Sequence, residues 1–256
     1  MILSFRRLRI LILLSLLGTI TAVTFWERWS VAQWQQPLQV VIYPVNGDGT
    51  EAVAEYIAGL SADRFRAIPE FMRSQSERYR LKPLPLPQMT LGNVVASAPP
   101  PQPVNGSMLD TLWWSLRLRY YVFHNTSFWH SLGRIKLFVV YHQGEDGIPL
   151  EHSLGMQKGL LGVIHAYARP AQDGQNNVVI AHELLHTLGA TDKYDGNLQP
   201  VYPDGFAEPE NGIRYPQKLA EIMAGRIAVA PRRAVMPKSL AACVIGAKTA
   251  YEINWK

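Results

Sequence analysis

The sequence of 256 residues has a single cysteine, Cys243, so it cannot form an internal disulfide bond. Charged residues make up only 18% of the chain, and beyond the N-terminal segment no basic run is longer than the pair Arg232 and Arg233. Because nucleic-acid binding requires clustered basic side chains, we expect no nucleic-acid partner despite the net charge of +5. The 48% hydrophobic content is typical of a globular protein that is stabilised by its core.

Residues 1–35 differ from the rest of the chain. An uncharged apolar run at 10–26 follows Arg6, Arg7 and Arg9, and a helix of that length covers most of a bilayer's hydrocarbon core. Basic residues stay on the cytoplasmic side of a membrane, so the remainder of the chain is expected to be exported. The segment is either an uncleaved membrane anchor or a signal peptide that is cleaved after Ala32.

Residues 36–256 are predicted to form a single domain. An internal strand at 134–142 is the clearest element, and the helix at 62–79 is expected to be interrupted near Pro69. In the helix at 108–123 we expect the apolar side chains Trp113, Trp114, Leu116 and Tyr120 to pack into a core. Cys243 is predicted to be a small core residue of a C-terminal helix. The other predicted elements are strands at 38–45, 89–98 and 159–168 and helices at 50–60 and 177–188.

The stretch NNVVIAHELLHTLG, residues 176–189, contains a motif with chemical meaning. Asn176 or Asn177 is the expected N-cap of the helix. His182 and His186 lie one turn apart on that helix, so their imidazoles can bind one metal ion. Glu183, between them, is placed to accept a proton from a water molecule that attacks a carbonyl. This arrangement predicts a zinc hydrolase site with Glu183 as the general base.

A third protein ligand is needed to complete a catalytic zinc site. Gly189 can adopt the left-handed conformation that ends a helix and reverses the chain, which would return Asp192 to the metal. Other carboxylates remain open as the third ligand, namely Asp195, Glu208, Glu210 and Glu221. Asp195 is also a candidate hydrogen-bond acceptor for a ligand histidine.

The pattern His182, Glu183, His186, Gly189, Asp192 resembles the metzincin clan of zinc peptidases in its aspartate-liganded form, as in snapalysin. The continuation DKYD is similar to immune-inhibitor-A-type secreted peptidases. The resemblance implies an α/β (α+β) fold with a mixed sheet and flanking helices, an active-site helix, and a largely irregular C-terminal subdomain ending in a helix. It also implies a buried methionine beneath the metal, for which Met223 is the candidate.

The resulting functional hypothesis is a zinc-dependent endopeptidase that is anchored to the membrane or secreted. Its partners would be a peptide or protein substrate and, through the N-terminal segment, the membrane. The strand near 160–167 is expected to be the sheet edge that pairs with substrate, with His165 as a possible contact. Tyr194, Tyr202 and Tyr215 are candidates for stabilising the oxyanion. The alternative is an inactive, metal-containing protein of the cell envelope that binds peptides or acts as a scaffold.

Overall fold

The computed structural model describes residues 5–81, 83–103, 107–126, 133–144, 153–157 and 159–255. Its helices are α1 Phe5–Ala32, α2 Glu51–Ala58, α3 Ala67–Arg78, α4 Met108–Asn125, α5 Asp173–Thr187 and α6 Ala247–Glu252. Its strands are β1 Gln39–Asn46, β2 Gln88–Leu91, β3 Ile135–His142, β4 Leu154–Met156, β5 Leu161–Tyr167, β6 Ala220–Glu221, β7 Ile227–Ala230, β8 Arg233–Val235 and β9 Cys243–Val244.

A five-stranded mixed sheet organises the domain, in the order β2-β1-β3-β5-β4. The first four strands of that order are parallel, and β4 alone runs antiparallel, against β5. Because β3 is covered on both faces, its side chains are buried almost without interruption, which is typical of an internal parallel strand. The predicted α/β (α+β) class, with a mixed sheet and flanking helices, is confirmed.

Helices cover both faces of the sheet. Alternate residues of β3, such as Leu137 and Val139, share a hydrophobic cluster with α2, α3 and α5. The intervening residues Phe138 and Val140 pack with Trp114, Leu118 and Tyr121 of α4. Helix α5, which carries His182 and His186, and helix α4 therefore lie on opposite faces of the sheet.

Several element boundaries differ from the predictions. The break in the 62–79 segment lies at Arg66, between a short 3-10 helix and α3. Pro69 falls in the first turn of α3, where a missing N–H breaks no helical bond. The predicted strand at 89–98 is only β2, followed by one isolated bridge between Val95 and Val45. Cys243 is a buried core residue as expected, but it belongs to strand β9 and not to a helix.

Helix α5 begins at Asp173, about one turn before the predicted start. Neither Asn176 nor Asn177 is its N-cap. Asn176 instead pairs with the backbone of Tyr167 through both polar atoms of its amide, at 2.9 and 3.0 Å. The Asn177 amide donates to the carbonyl of Arg64 at 2.8 Å. Both side chains therefore join the start of α5 to neighbouring segments.

Candidate metal centre

Hydrogen bonds to the backbone orient the imidazoles of His182 and His186 so that their Nε2 atoms lie close together. Nδ1 of His182 lies 2.9 Å from the carbonyl oxygen of Ile222, and Nδ1 of His186 lies 2.8 Å from that of Ala190. A carbonyl only accepts hydrogen bonds, so each Nδ1 carries a proton, and Nε2 is the nitrogen that can offer a lone pair to a metal ion when the ring is neutral. The two Nε2 atoms are 3.1 Å apart.

Asp192 completes the group. Its Oδ1 lies 3.2 Å from Nε2 of His182 and 3.1 Å from Nε2 of His186. The chain returns there because Gly189 ends the helix with a φ of +108°, a value that strongly favours glycine. His182, His186 and Asp192 thus form a group whose ligand atoms are close enough together to hold one metal ion.

The electrostatics of this group are dominated by the histidine–aspartate contacts. Although burial opposes it, the hydrogen bonds from the two imidazoles lower the pKa of Asp192. Burial also opposes the charged form of His182, but the carboxylates of Asp192 and Glu183 raise its pKa to about 9. A divalent cation at this point would replace the proton that the three residues otherwise share.

Glu183 is buried beside the histidines, and burial raises the pKa of its carboxyl group. Within the described part of the chain its Oε2 atom has no hydrogen-bond partner. An unpaired buried carboxylate oxygen is costly, which makes it a strong sign of a functional group. Strand β4 crosses at this point: a side chain added to Gly155 would overlap the backbone carbonyl of Glu183.

Three of the four other proposed third ligands accept hydrogen bonds elsewhere, and the fourth, Glu210, does not belong to the metal group. Glu221 is fully buried and accepts hydrogen bonds from the backbone N–H groups of Met223, Ala224 and Gly246 and from the Thr249 hydroxyl. Oδ1 of Asp195 accepts from the backbone of Asn197 and Gln199 in its own loop. Oε2 of Glu208 accepts from the Asn211 amide. Among the described residues, only His182, His186 and Asp192 form a potential metal group.

The expectation that Asp195 accepts from a ligand histidine is therefore wrong, because backbone carbonyls fill that role. Met223 is buried as expected, in the turn that Glu221 holds together. The Ile222 carbonyl of the same turn faces His182, and the Met223 carbonyl accepts from the N–H of Lys193. This turn thus supports both a ligand histidine and the segment that carries Asp192.

A clamp that the sequence does not reveal holds Asp192 from both sides. Glu252, in α6, accepts hydrogen bonds from the backbone N–H and the hydroxyl of Thr191 at 2.9 and 2.8 Å. It also accepts one from Nζ of Lys193 at 2.7 Å. These are the two chain neighbours of Asp192. No local signal could have identified Glu252, which lies 60 positions away along the chain.

Of the three candidate tyrosines, the structure brings only Tyr194 to the metal group. Its ring stacks at 6.3 Å from that of His182. Burial, together with the nearby Asp192 carboxylate, raises its pKa to about 12, so the hydroxyl keeps its proton. Tyr202 and Tyr215 instead contact Phe206 through their rings.

The edge of the sheet on this side is β4, not the predicted strand near 160–167. β5 is internal, because it pairs with β3 on one side and with β4 on the other. His165 of β5 lies on the α4 face of the sheet, since its neighbours Ile164 and Ala166 belong to the α5 face. Its Nδ1 is 3.0 Å from Nε2 of His142, whose other nitrogen is 2.6 Å from the Asp48 carboxylate. His165 is therefore separated from the metal group by the sheet.

A scan against protein-family models finds no match, and no curated protein matches the chain.

Proposed function

We propose that this chain is a zinc-dependent endopeptidase of metzincin type, with His182, His186 and Asp192 as the metal ligands. The observation that carries the proposal is the meeting of their three ligand atoms within 3.2 Å, beside a buried carboxylate with an unpaired oxygen. Two imidazoles and one carboxylate suit zinc and leave a coordination position for water or substrate. The carbonyls that fix the histidine tautomers provide the outer contacts that such ligands require.

Zinc bound there would supply a Lewis acid that polarises the scissile carbonyl and acidifies a water molecule. Glu183 would accept a proton from the attacking water and return it to the leaving amine. Its raised pKa suits both steps, because a carboxyl group that titrates closer to neutral pH exchanges protons more evenly. Tyr194, whose ring stacks against His182 and whose hydroxyl keeps its proton, is the proposed donor to the oxyanion.

The substrate is proposed to bind as an extended peptide along β4. In the described part of the chain β4 pairs only with β5, so its other edge has backbone groups available for pairing. Gly155, at the centre of β4, lies against Glu183 and His186. A peptide that pairs with this edge would lie beside the general base, with its backbone held by ladder hydrogen bonds.

The enzyme is further proposed to be anchored in a membrane with this domain on the extracytoplasmic side. Helix α1 is long and apolar enough to cross a bilayer from Leu8 to Ala32. The candidate cleavage site follows Ala32, the last residue of that helix, and Val31 is buried in the domain core. Cleavage there would remove Val31 from that core, which supports the uncleaved anchor.

The decisive experiment measures zinc content and casein cleavage by the full-length protein in detergent. We expect His186→Ala to lose stoichiometric zinc, whereas Glu183→Ala keeps zinc and loses hydrolysis. His124→Ala, an exposed histidine of α4, is the matched control and should retain both. Equal zinc in wild type and His186→Ala would refute the metal site. A zinc-loaded wild type that binds casein without cleaving it would favour the peptide-binding alternative.

A further inference from the structure

The outer face of helix α4 exposes a continuous apolar surface. Six large side chains there are between 56% and 76% exposed: Leu109, Leu112, Trp113, Leu116, Tyr120 and Phe123. Only Trp114 of the four apolar residues expected to be in the core is buried, so that prediction is wrong for Trp113, Leu116 and Tyr120. Single exposed apolar residues are common, but a contiguous group of this size usually marks an interaction surface.

The six residues share one side of the helix. At about 100° per residue they fall within an arc of roughly 100°, opposite the side that Trp114, Leu118 and Tyr121 pack against the sheet. Two exposed arginines, Arg119 and Arg117, border the arc on its two sides. The only acidic residue of α4, Asp110, is used in the capping box at the start of the helix. An apolar arc with aromatic residues and basic borders is typical of a helix that lies in a membrane interface.

The position of α1 relates this surface to the proposed anchor. Trp34, two residues after α1, is buried and donates its indole N–H to the Ile253 carbonyl at 2.7 Å, so no flexible linker separates helix and domain. One turn before the buried Val31, the Glu27 carboxylate accepts from the N–H of Gly133 at 3.3 Å. Glu27 also interacts electrostatically with Lys136 of β3. Because side chains alternate along a strand, Lys136 lies on the same face of the sheet as Phe138 and Val140, which is the face that α4 covers. Towards its N-terminus, α1 therefore leaves the domain on the α4 side.

We propose that the outer arc of α4 lies in the headgroup and acyl-chain boundary of the same membrane that α1 spans. This inference rests on the proposed anchorage and adds a second, peripheral contact that fixes the orientation of the domain. The occupant is the lipid bilayer, because α1 brings the bilayer to this side of the molecule and the basic borders suit anionic headgroups. Since α5 lies on the opposite face of the sheet, the metal group would face away from the lipid, towards polypeptides outside the membrane.

The test uses the full-length protein in vesicles of phosphatidylcholine and phosphatidylglycerol. Because Cys243 is buried, a nitroxide label can be attached selectively to a new exposed cysteine. Leu116→Cys tests α4, Leu14→Cys reports on α1, and Glu51→Cys is the control on α2, on the other face of the sheet. The accessibility of each label is measured with lipid-soluble oxygen and with a water-soluble nickel chelate.

We expect the label at Leu116→Cys to be reached by oxygen and protected from nickel, as at Leu14→Cys and unlike Glu51→Cys. If the Leu116→Cys and Glu51→Cys labels are both open to nickel while Leu14→Cys is protected, α4 does not touch lipid and the inference is overturned with the anchor intact. If all three are open to nickel, the anchorage itself fails. Protection of Leu116→Cys from both reagents, with dipolar broadening between labels, would show that a second copy covers α4 and would also overturn the inference.

Discussion

The clamp that Glu252 forms around Asp192 leads to a prediction about metal affinity. Glu252 accepts three hydrogen bonds from Thr191 and Lys193, and the Lys193 side chain is only 5% exposed. In Glu252→Gln the single remaining carbonyl oxygen can keep part of the Thr191 contact, but the buried ammonium of Lys193 loses its anionic partner. Removing one member of a buried pair costs about 3–5 kcal/mol, so we expect destabilisation of about 3 kcal/mol. Because Asp192 lies between the two clamped residues, zinc affinity should also fall by about 10- to 100-fold, the range for outer partners of a metal ligand.

Zinc affinity is measured by competition with a fluorescent chelator, and stability by urea unfolding, over a range of pH. Although burial opposes it, the contacts with Lys193 and Thr191 lower the pKa of Glu252 below the ordinary glutamate value. The stability that this contributes is present above the unfolded pKa of about 4.3 and is lost as the pH falls through the lower folded pKa, so the wild type should show this loss and Glu252→Gln should not.

The matched control is Leu118→Ala, which opens a cavity under α4 at a cost of about 2–5 kcal/mol but does not contact the clamp. Leu118→Ala should therefore lower stability and leave the zinc affinity of the folded protein unchanged. If Glu252→Gln is destabilised as much as Leu118→Ala but binds zinc as tightly as wild type, Asp192 is held without Glu252 and the reasoning fails.

Three further comparisons test the site. Gly155→Ala should abolish casein hydrolysis, because its Cβ would overlap the Glu183 carbonyl and lie 2.7 Å from Cβ of His186; Gly196→Ala, which meets nothing within 4 Å, should be fully active. Gly189→Val should lose zinc, because a branched side chain strongly disfavours the φ of +108° that returns Asp192 to the histidines; normal zinc content would contradict this. Glu221→Gln should keep zinc but lower the urea midpoint, whereas Asp192→Asn should lose zinc; the reverse pattern would make Glu221 the ligand.

The sequence predicts the central strands and the metal group because both depend on short-range patterns. β1 and β3 appear as continuous apolar runs, which is typical of parallel strands covered on both faces. His182, His186 and Asp192 lie within eleven consecutive residues, and a helix followed by one glycine reversal is sufficient to bring them together. Such local geometry can be derived without knowing the rest of the fold.

What the sequence does not predict depends on contacts between distant segments. The three-residue strand β4 is too short to show an alternating pattern, and its place outside β5 is set only by sheet pairing. The sequence also does not predict that one apolar side of α4 is exposed. A helix with apolar residues on two opposite sides is expected to be a core helix, and only the structure shows that just one of these sides is covered.

The carboxylates of Glu221, Asp192 and Glu183 differ in the hydrogen bonds that they accept. Glu221 has four donors, from three backbone N–H groups and one hydroxyl, so its lone pairs are occupied and its role is to hold the turn beneath His182. Asp192 faces the Nε2 atoms of both histidines, whose Nδ1 atoms donate to carbonyls, so a cation that replaces the shared proton can contact all three ligand atoms. Glu183 keeps one buried oxygen without a partner, and that oxygen is the one able to take a proton from a water molecule. The roles that we propose for Asp192 and Glu183 are therefore also supported by the hydrogen bonds that each carboxylate makes.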